Sequence, residues 1–145
     1  MSAAPAIPAD PAPRTVLVTG AARRLGRAIA LACARAGWQV AVHARVVDQD
    51  ALETVAACAR HTRAEGVFDA DLADETAVRA LLPRVAAALG PVQAVVNSAA
   101  LFEWDDAASF GQALLERHLR VNTAAPVLLA QALAEQLRAQ GAGPA

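Results

Sequence analysis

Short apolar runs alternate with longer helical stretches along this chain, and this alternation constrains its fold more than any other feature. Runs at residues 15–19, 39–44, 66–70 and 92–96 each contain valine and have the length of strands. Apolar strands separated by helices are typical of a parallel sheet that is buried on both faces. The sequence therefore predicts an α/β fold with a doubly wound parallel sheet of about four strands.

Four helices are predicted between and after these strands. They cover residues 24–36, a stretch from Asp48 or Asp50 to about residue 63, residues 74–89, and residues 114–140. Asp74 is a good N-cap residue, whereas Pro83 lacks an N–H and is expected to kink or divide its helix. No fifth strand follows the last helix, so the predicted sheet is incomplete.

The length of 145 residues fits one domain. We expect a flexible Ala- and Pro-rich lead-in at residues 1–13, a folded unit at 14–140 and a tail at 141–145. The chain is 56% hydrophobic and has a net charge of -1, which argues against disorder and against a nucleic-acid partner. No apolar run reaches the roughly 18 residues of a membrane span. Without a leader peptide, a cytoplasmic location is expected.

Cysteine and histidine residues give no sign of a metal site. Cys33 and Cys58 lie in predicted helices and belong to no CxxC pair, so they are interpreted as reduced apolar fillers. His61 and His118 have no partners at ligand spacing. His118 is interpreted as a surface or interface residue of the last helix.

The turn between the first strand and the first helix, TGAARRLG at residues 19–26, carries the strongest functional signal. Glycine lets the backbone approach a phosphate, and a helix N-terminus offers free N–H groups with a positive dipole end. A strand–helix turn can also need glycine for its geometry alone. In this context the pattern predicts a pyrophosphate site formed by Gly20, Arg23, Arg24, Leu25 and Gly26.

This turn resembles the TGxxxGxG motif of the short-chain dehydrogenases/reductases, most of all that of the pteridine-reductase branch. That branch tolerates Arg at the position of the central glycine, which is Arg24 here. The resemblance implies a Rossmann-type sheet, with residues 14–140 as its dinucleotide-binding half-domain. It also implies a small-molecule substrate whose carbonyl or pterin-type C=N bond is reduced.

The end of the second strand indicates which dinucleotide is bound. NAD sites place an acidic residue there, and NADP sites replace it with arginine to meet the 2′-phosphate. Ala44 occupies that position, with His43 before it and Arg45 after it. In similar proteins the residue at Arg23 points toward the same ribose. NADP(H) is therefore the predicted cofactor, although Arg45 can also be read as a solvated strand-end charge.

Two further stretches resemble the cofactor contacts of the family. Asp71 and Leu72 match its adenine-contacting Asp-Leu pair, although an aspartate before a helix is often only a turn residue. Residues 97–100, Asn97-Ser98-Ala99-Ala100, resemble its NNAG stretch, which lines the cofactor, with Ser98 in place of the second Asn and Ala100 in place of the terminal Gly. Taken without the resemblance, that stretch is a polar turn at the end of a strand.

Phe102 and Asn122 are the candidates nearest to the chemistry. The resemblance implies that Phe102 stacks on a pterin substrate, although a loop aromatic more often packs locally. Asn122, in the sequence Val-Asn, matches the asparagine of the family's catalytic tetrad. Asparagine has poor propensity within a helix, but it is common enough there to need no function.

The remaining tetrad groups are missing, because the chain contains no tyrosine and no lysine. In the family the tyrosine of a YxxxK motif transfers the proton beside the cofactor, the lysine lowers the pKa of that tyrosine, and a serine orients the carbonyl. We therefore expect an inactive N-terminal fragment of a reductase, which assembles as a homodimer or homotetramer through its last helix when complete. The alternatives are a non-catalytic dinucleotide-binding module and, disfavoured by Arg45 and the absent lysine, a methyltransferase-like or receiver-like domain.

Overall fold

A computed structural model of the protein describes residues 12–141, so most of the predicted lead-in and tail lies outside the described residues. Its four strands form one parallel sheet in the order β3-β2-β1-β4. They are β1 (Thr15–Val18), β2 (Gln39–Ala44), β3 (Val67–Asp69) and β4 (Val92–Val96). The predicted α/β class and four-stranded parallel sheet are confirmed.

The helices agree with prediction in number and order except near the C-terminal end of the described chain. They are α1 (Arg24–Arg35), α2 (Gln49–Ala59), α3 (Glu75–Leu89), α4 (Gln112–Leu119) and α5 (Ala125–Ala139). The prediction that α2 extends to about residue 63 is wrong. Pro83 does not divide α3, because the buried face of that helix continues on both sides of the proline and holds it against the sheet.

The single long helix predicted over residues 114–140 is also wrong. A π-helical turn, Arg120–Ala124, separates α4 from α5. Pro126 follows at the start of α5. Proline cannot donate a hydrogen bond to the preceding turn and its ring crowds the carbonyl there, so a widened turn before it relieves the conflict.

The two faces of the sheet are covered by different helices, as a doubly wound fold requires. Leu17 and Ala41 point to the side of α3 and α5, and their neighbours Val16 and Val40 point to the side of α1 and α2. This follows from the two-residue period of strands. Cys58 packs on the second side, where burial raises the pKa of its thiol to about 11. Both cysteines are free, with Cys58 buried and Cys33 half-buried.

The order in which strands are added to the sheet changes side between β3 and β4, although all four strands run parallel. Strand β2 pairs with one edge of β1, and β3 pairs with the outer edge of β2. Strand β4 then pairs with the opposite edge of β1. At such a switch point the loops that leave the two central strands diverge and open a crevice outside their carboxyl ends, where ligands bind in open α/β sheets.

Candidate functional site: a cleft at the carboxyl ends of the strands

A cleft of about 700 Å³ lies at this switch point. Its wall is formed by the turn after β1, the ends of β2 and β3, and the segment after β4. One residue of α4 and one residue of the π-helical turn complete it. The lining residues are Gly20, Arg23, Arg24, Leu25, Gly26, His43, Arg45, Ala70, Asp71, Leu72, Ala73, Ser98, Ala99, Ala100, Leu101, Arg117 and Val121. The sequence-predicted cofactor residues therefore come together here, with the exception of Asn97.

Two glycines give the cleft its floor. Gly20 has φ +63°, and a Cβ on it would lie 2.7 Å from the Cα of Ala99. A Cβ on Gly26 would lie 2.0 Å from the carbonyl oxygen of Gly20. The first glycine lets the turn lie against the segment after β4, and the second lets α1 start directly against the turn.

The start of α1 differs from the starts of the next two helices. The side chains of Asp48 and Asp74 accept hydrogen bonds from backbone N–H groups and so cap α2 and α3. Arg23 gives α1 no side-chain cap, and Arg24 enters the helix with φ +50°. The backbone N–H groups of this first turn have no capping side chain. They direct the positive end of the α1 dipole toward the cleft. A phosphate is the ligand type that such an end attracts.

His43 fixes the glycine turn through hydrogen bonds of its side chain and its backbone. Its Nδ1 accepts a hydrogen bond from the Gly20 N–H at 3.1 Å, and its Nε2–H donates to the carbonyl of Ala70 at 3.0 Å. The carbonyl of His43 also accepts from the Ala21 N–H. The ring is 2% exposed, and burial lowers its pKa. His43 borders the cleft, but both of its ring nitrogens bond to backbone groups rather than standing free for a cofactor.

The turn is also tied to α2. The hydroxyl of Thr54 donates to the carbonyl of Ala22 at 3.0 Å. The guanidinium of Arg23 is paired with two carboxylates, those of Asp48 and Asp50, and the Asp50 contact is the main cause of a raised pKa of Arg23. The sequence marked Asp48 and Asp50 only as cap candidates, because nothing in their spacing shows that α1 and α2 lie side by side.

Arg45 and Asp71 stand at the rim where β2 and β3 end. Arg45 is exposed and lines the cleft. The Oδ1 of Asp71 accepts a hydrogen bond from the Ala73 N–H at 2.9 Å, so the residue shapes its own turn. Leu72 is 7% exposed and forms part of the wall.

A threonine hydroxyl fixes the segment after β4. Thr19 Oγ1 accepts from the N–H groups of Ser98 and Ala99, both at 3.1 Å, and donates to the carbonyl of Val96. Asn97 is exposed and does not line the cleft. Thr19 was not singled out from the sequence, although its place in the TG pair was the available signal.

Asn122 lies in the π-helical turn rather than within a regular helix. Its side chain accepts from the Leu101 N–H at 2.8 Å and donates to the Leu101 carbonyl at 2.9 Å. These two bonds fix the loop that follows β4. Phe102, the next residue of that loop, is 80% exposed and does not line the cleft, so this structure does not place it for stacking in the cleft.

His118 anchors the same loop. Its Nε2 accepts from the Glu103 N–H at 3.1 Å, and its Nδ1–H donates to the Leu114 carbonyl at 2.8 Å. The sequence predicts only a surface or interface residue here and not this role, because the contact joins residues that are far apart in any helical pattern.

The fit of this wall to a dinucleotide can be judged from its chemistry. Two glycines leave room for backbone approach, an uncapped helix start faces the cleft, and Arg23, Arg24 and Arg45 line it. Those features match the phosphates of such a cofactor. Within residues 12–141, no three His, Cys, Asp or Glu side chains gather into a possible metal site. No helix in that same range is both long and apolar enough to cross a membrane.

Comparisons with known proteins agree with this geometry. The family model for short chain dehydrogenase matches residues 14–144. A short chain dehydrogenase/reductase of Macrophomina phaseolina is 34% identical over 134 residues, which cover 90% of this chain and 75% of that protein. The 2-dehydro-3-deoxy-D-gluconate 5-dehydrogenase of Escherichia coli is 30% identical, over 90% of this chain and 50% of its own length.

A solved structure gives the same picture. The short chain dehydrogenase of Burkholderia cenocepacia, in complex with NADP, superposes with a TM-score of 0.79 and 34% identity. The match covers 84% of this chain and 50% of that one. The chain thus spans about half the length of the Escherichia coli relative and of this structure.

Proposed function

Because this chain belongs to the short-chain dehydrogenase family, we propose that it is the cofactor-binding half of an NADP(H)-dependent oxidoreductase that reduces a carbonyl or a pterin-type C=N bond. The observation that carries the cofactor assignment is the pair Arg23 and Arg45, which both line the cleft while Ala44 stands where an NAD site has its acid. The NADP complex of the Burkholderia cenocepacia structure supports the same assignment.

Each part of the wall has a separate role in this proposal. The turn from Gly20 to Gly26 and the start of α1 hold the pyrophosphate, and Arg23 and Arg45 hold the 2′-phosphate. Asp71 and Leu72 border the adenine. Ser98 and Ala99, held by Thr19, border the remainder of the dinucleotide. NADP(H), when bound, supplies or accepts the hydride.

The proton-transfer groups lie beyond this chain in the proposal. The chain has neither tyrosine nor lysine, and it spans about half the length of several relatives. We propose that a longer protein supplies them, and that Asn122 positions the loop after β4 beside them. The pteridine-reductase branch, suggested by Arg24, belongs to this same proposal, as do the cytoplasmic location and a homo-oligomeric assembly.

A second function is favoured by the same absence of tyrosine and lysine. A module that binds the dinucleotide without catalysis needs only the cleft. The intact mass of the protein made from its own gene distinguishes the two. A mass well above 14.9 kDa, with a YxxxK motif in the added sequence, supports the reductase. A mass of 14.9 kDa with NADPH binding but no turnover supports the module.

The cofactor assignment is tested by Arg45→Asp. A charge-assisted hydrogen bond to phosphate contributes about 1.5–3 kcal/mol, so its loss should weaken NADP⁺ binding about 10- to 100-fold. NAD⁺ binding, which involves no 2′-phosphate, should stay the same or improve. Titration calorimetry measures both dissociation constants.

The matched control is Arg35→Asp, which makes the same charge change in the last turn of α1, at the other end of that helix. It should leave the ratio of the two dissociation constants unchanged. If Arg45→Asp also leaves this ratio unchanged, the NADP(H) assignment is wrong.

A further inference from the structure

One of the two arginines proposed to hold the 2′-phosphate is already paired with carboxylates. Arg23 Nη2 lies 2.7 Å from Asp48 Oδ2, and its Nε contacts Asp50 Oδ2. The Arg23 side chain is 62% exposed and lines the cleft. Its positive charge is therefore shared between the cleft and the start of α2.

The two carboxylates differ in what else they do. Asp48 is the N-cap of α2, and its Oδ1 accepts the Ala51 N–H at 2.9 Å. Within residues 12–141, the Asp50 side chain forms its hydrogen bond and its ion pair with Arg23 alone. Substituting Asp50 therefore changes the pairing of Arg23 without removing a helix cap.

A 2′-phosphate that enters this rim meets both signs of charge. It is attracted by Arg23 and Arg45 and repelled by Asp48 and Asp50. A guanidinium that donates to a carboxylate has fewer N–H groups left for phosphate. Arg45, by contrast, forms no ion pair within residues 12–141. The rim thus combines Arg45, which forms no ion pair within residues 12–141, and Arg23, which already donates to two carboxylates.

We propose that Asp50 is a specificity-determining residue that competes with the 2′-phosphate for Arg23 and so narrows the preference of the cleft for NADP(H) over NAD(H). This inference rests on the proposed function. It predicts a site that discriminates less sharply between the two dinucleotides than its two arginines suggest. A carboxylate that instead held Arg23 in the orientation phosphate needs, an orienting role, would have the opposite effect on binding.

Two fragments of the cofactor isolate the effect. The ligand 2′,5′-ADP carries the 2′-phosphate and 5′-AMP lacks it, while the two are otherwise identical. We would measure both dissociation constants by titration calorimetry with the full 145-residue chain, in its original form and as Asp50→Asn. Removing one exposed charge beside a phosphate should tighten 2′,5′-ADP binding about three- to tenfold, and 5′-AMP binding should change less than twofold.

The matched control is Glu53→Gln, on the same helix. Glu53 pairs with Arg27 at 3.9 Å, and neither residue lines the cleft. The substitution removes the same unit of charge and should leave both dissociation constants unchanged. High salt should shrink the Asp50→Asn gain, since both partners are exposed. Circular dichroism and a thermal melt verify that each variant is folded.

A double-mutant cycle tests whether Asp50 acts through Arg23. In the Arg23→Ala background, the gain from Asp50→Asn should largely disappear. A gain of the same size in both backgrounds overturns the claim of competition for Arg23. Weaker or unchanged 2′,5′-ADP binding in Asp50→Asn overturns the proposal outright, and weaker binding assigns Asp50 the orienting role instead.

The proposed function has a separate readout in the same data. If the folded original chain binds neither NADP⁺ nor 2′,5′-ADP, the proposed NADP(H) site itself is refuted. If it binds both and Asp50→Asn brings no gain, only the inference about Asp50 fails.

Discussion

Helices α3 and α5 have the same length, 15 residues, and cover the same face of the sheet, yet they are buried to different extents. Five residues of α3 are buried, and only Ala125 and Leu129 of α5 are. The helix α3 contacts all four strands, whereas α5 contacts only β4 among them. The position of a helix over the sheet, more than its own apolar pattern, therefore decides how much of it is buried.

The same difference separates the two halves of the molecule. All six residues of β2 are buried, but only Val92 is buried in β4, and α4 has no buried residue. Two side-chain amides partly compensate for the low burial of β4 and α4. Gln136 bonds to the N–H and carbonyl of Val92, and Asn122 bonds in the same way to Leu101. Hydrogen bonds thus hold β4 and the loop after it in place, where little apolar surface is buried.

The largest expected effect tests the contrast between α3 and α5 directly. Leu81→Ala, at a fully buried position of α3, should lower the free energy of unfolding by about 2–5 kcal/mol. Leu133→Ala, at a half-buried position of α5, should cost about 1 kcal/mol, because less surface returns to water. Urea denaturation measures both. Leu129→Ala is the control, since its fully buried side chain should behave like that of Leu81. Equal costs at positions 81 and 133 would contradict the comparison.

A smaller effect is expected at His43, one of two histidines that each bridge two backbone groups. His43 is buried, whereas the other, His118, is half-buried. Because burial lowers the pKa of His43 in the folded state, the unfolded chain binds more protons as pH falls below about 6.5. Stability from this group is complete above that pH and is lost as pH falls toward the folded-state pKa.

The measurement is the urea midpoint between pH 7.5 and 5.5. Asp69 and Arg84 act on the imidazole with opposite signs, and desolvation dominates both. His43→Gln should flatten the pH dependence and lower stability at pH 7.5 by about 1–3 kcal/mol, the cost of a poorly paired buried group. His61→Gln, at an exposed position, is the control and should leave stability at pH 7.5 unchanged. An unchanged pH slope in His43→Gln would show that other groups cause it.

The smallest effect concerns the two amides that hold β4 and its following loop. Asn122→Ala and Gln136→Ala should each cost about 1 kcal/mol, the net value of ordinary hydrogen bonds. Hydrogen exchange should locate the loss, with the Leu101 amide released by the first change and the Val92 amide by the second. Gln131→Ala, at an exposed position of α5, is the control. Exchange that rises equally at both amides in either variant would show one cooperative unit instead of two separate clamps.

The strands were predictable because a sheet buried on both faces demands continuous apolar runs. The predicted limits of β2 and β4 agree with the structure, and the prediction for β1 is one residue too long. The π-helical turn was not predictable from periodicity. It coincides with the contact between Asn122 and Leu101 and with Pro126, and the first of these depends on tertiary structure.

The site shows the same limit. The turn at Gly20 and Gly26 could be predicted, because only glycine tolerates the close approaches found there. The ion pairs of Arg23 could not, since they depend on how α1 and α2 lie beside each other. The sequence predicts His43 as a cofactor contact; the residue borders the cleft, and the contact itself stays a prediction. Its two backbone bonds need the folded positions of Gly20 and Ala70.

Arg24 adopts φ +50° where glycine would be at ease, and this has a consequence for engineering. An L-residue in this conformation costs about 1–2 kcal/mol, so selection for thermostability alone would favour glycine at this position. The same replacement would strip a guanidinium from the wall of the cleft. On the proposed function, stability and cofactor affinity therefore make opposite demands on residue 24, and a library screened only for heat resistance would lose affinity for the cofactor phosphates.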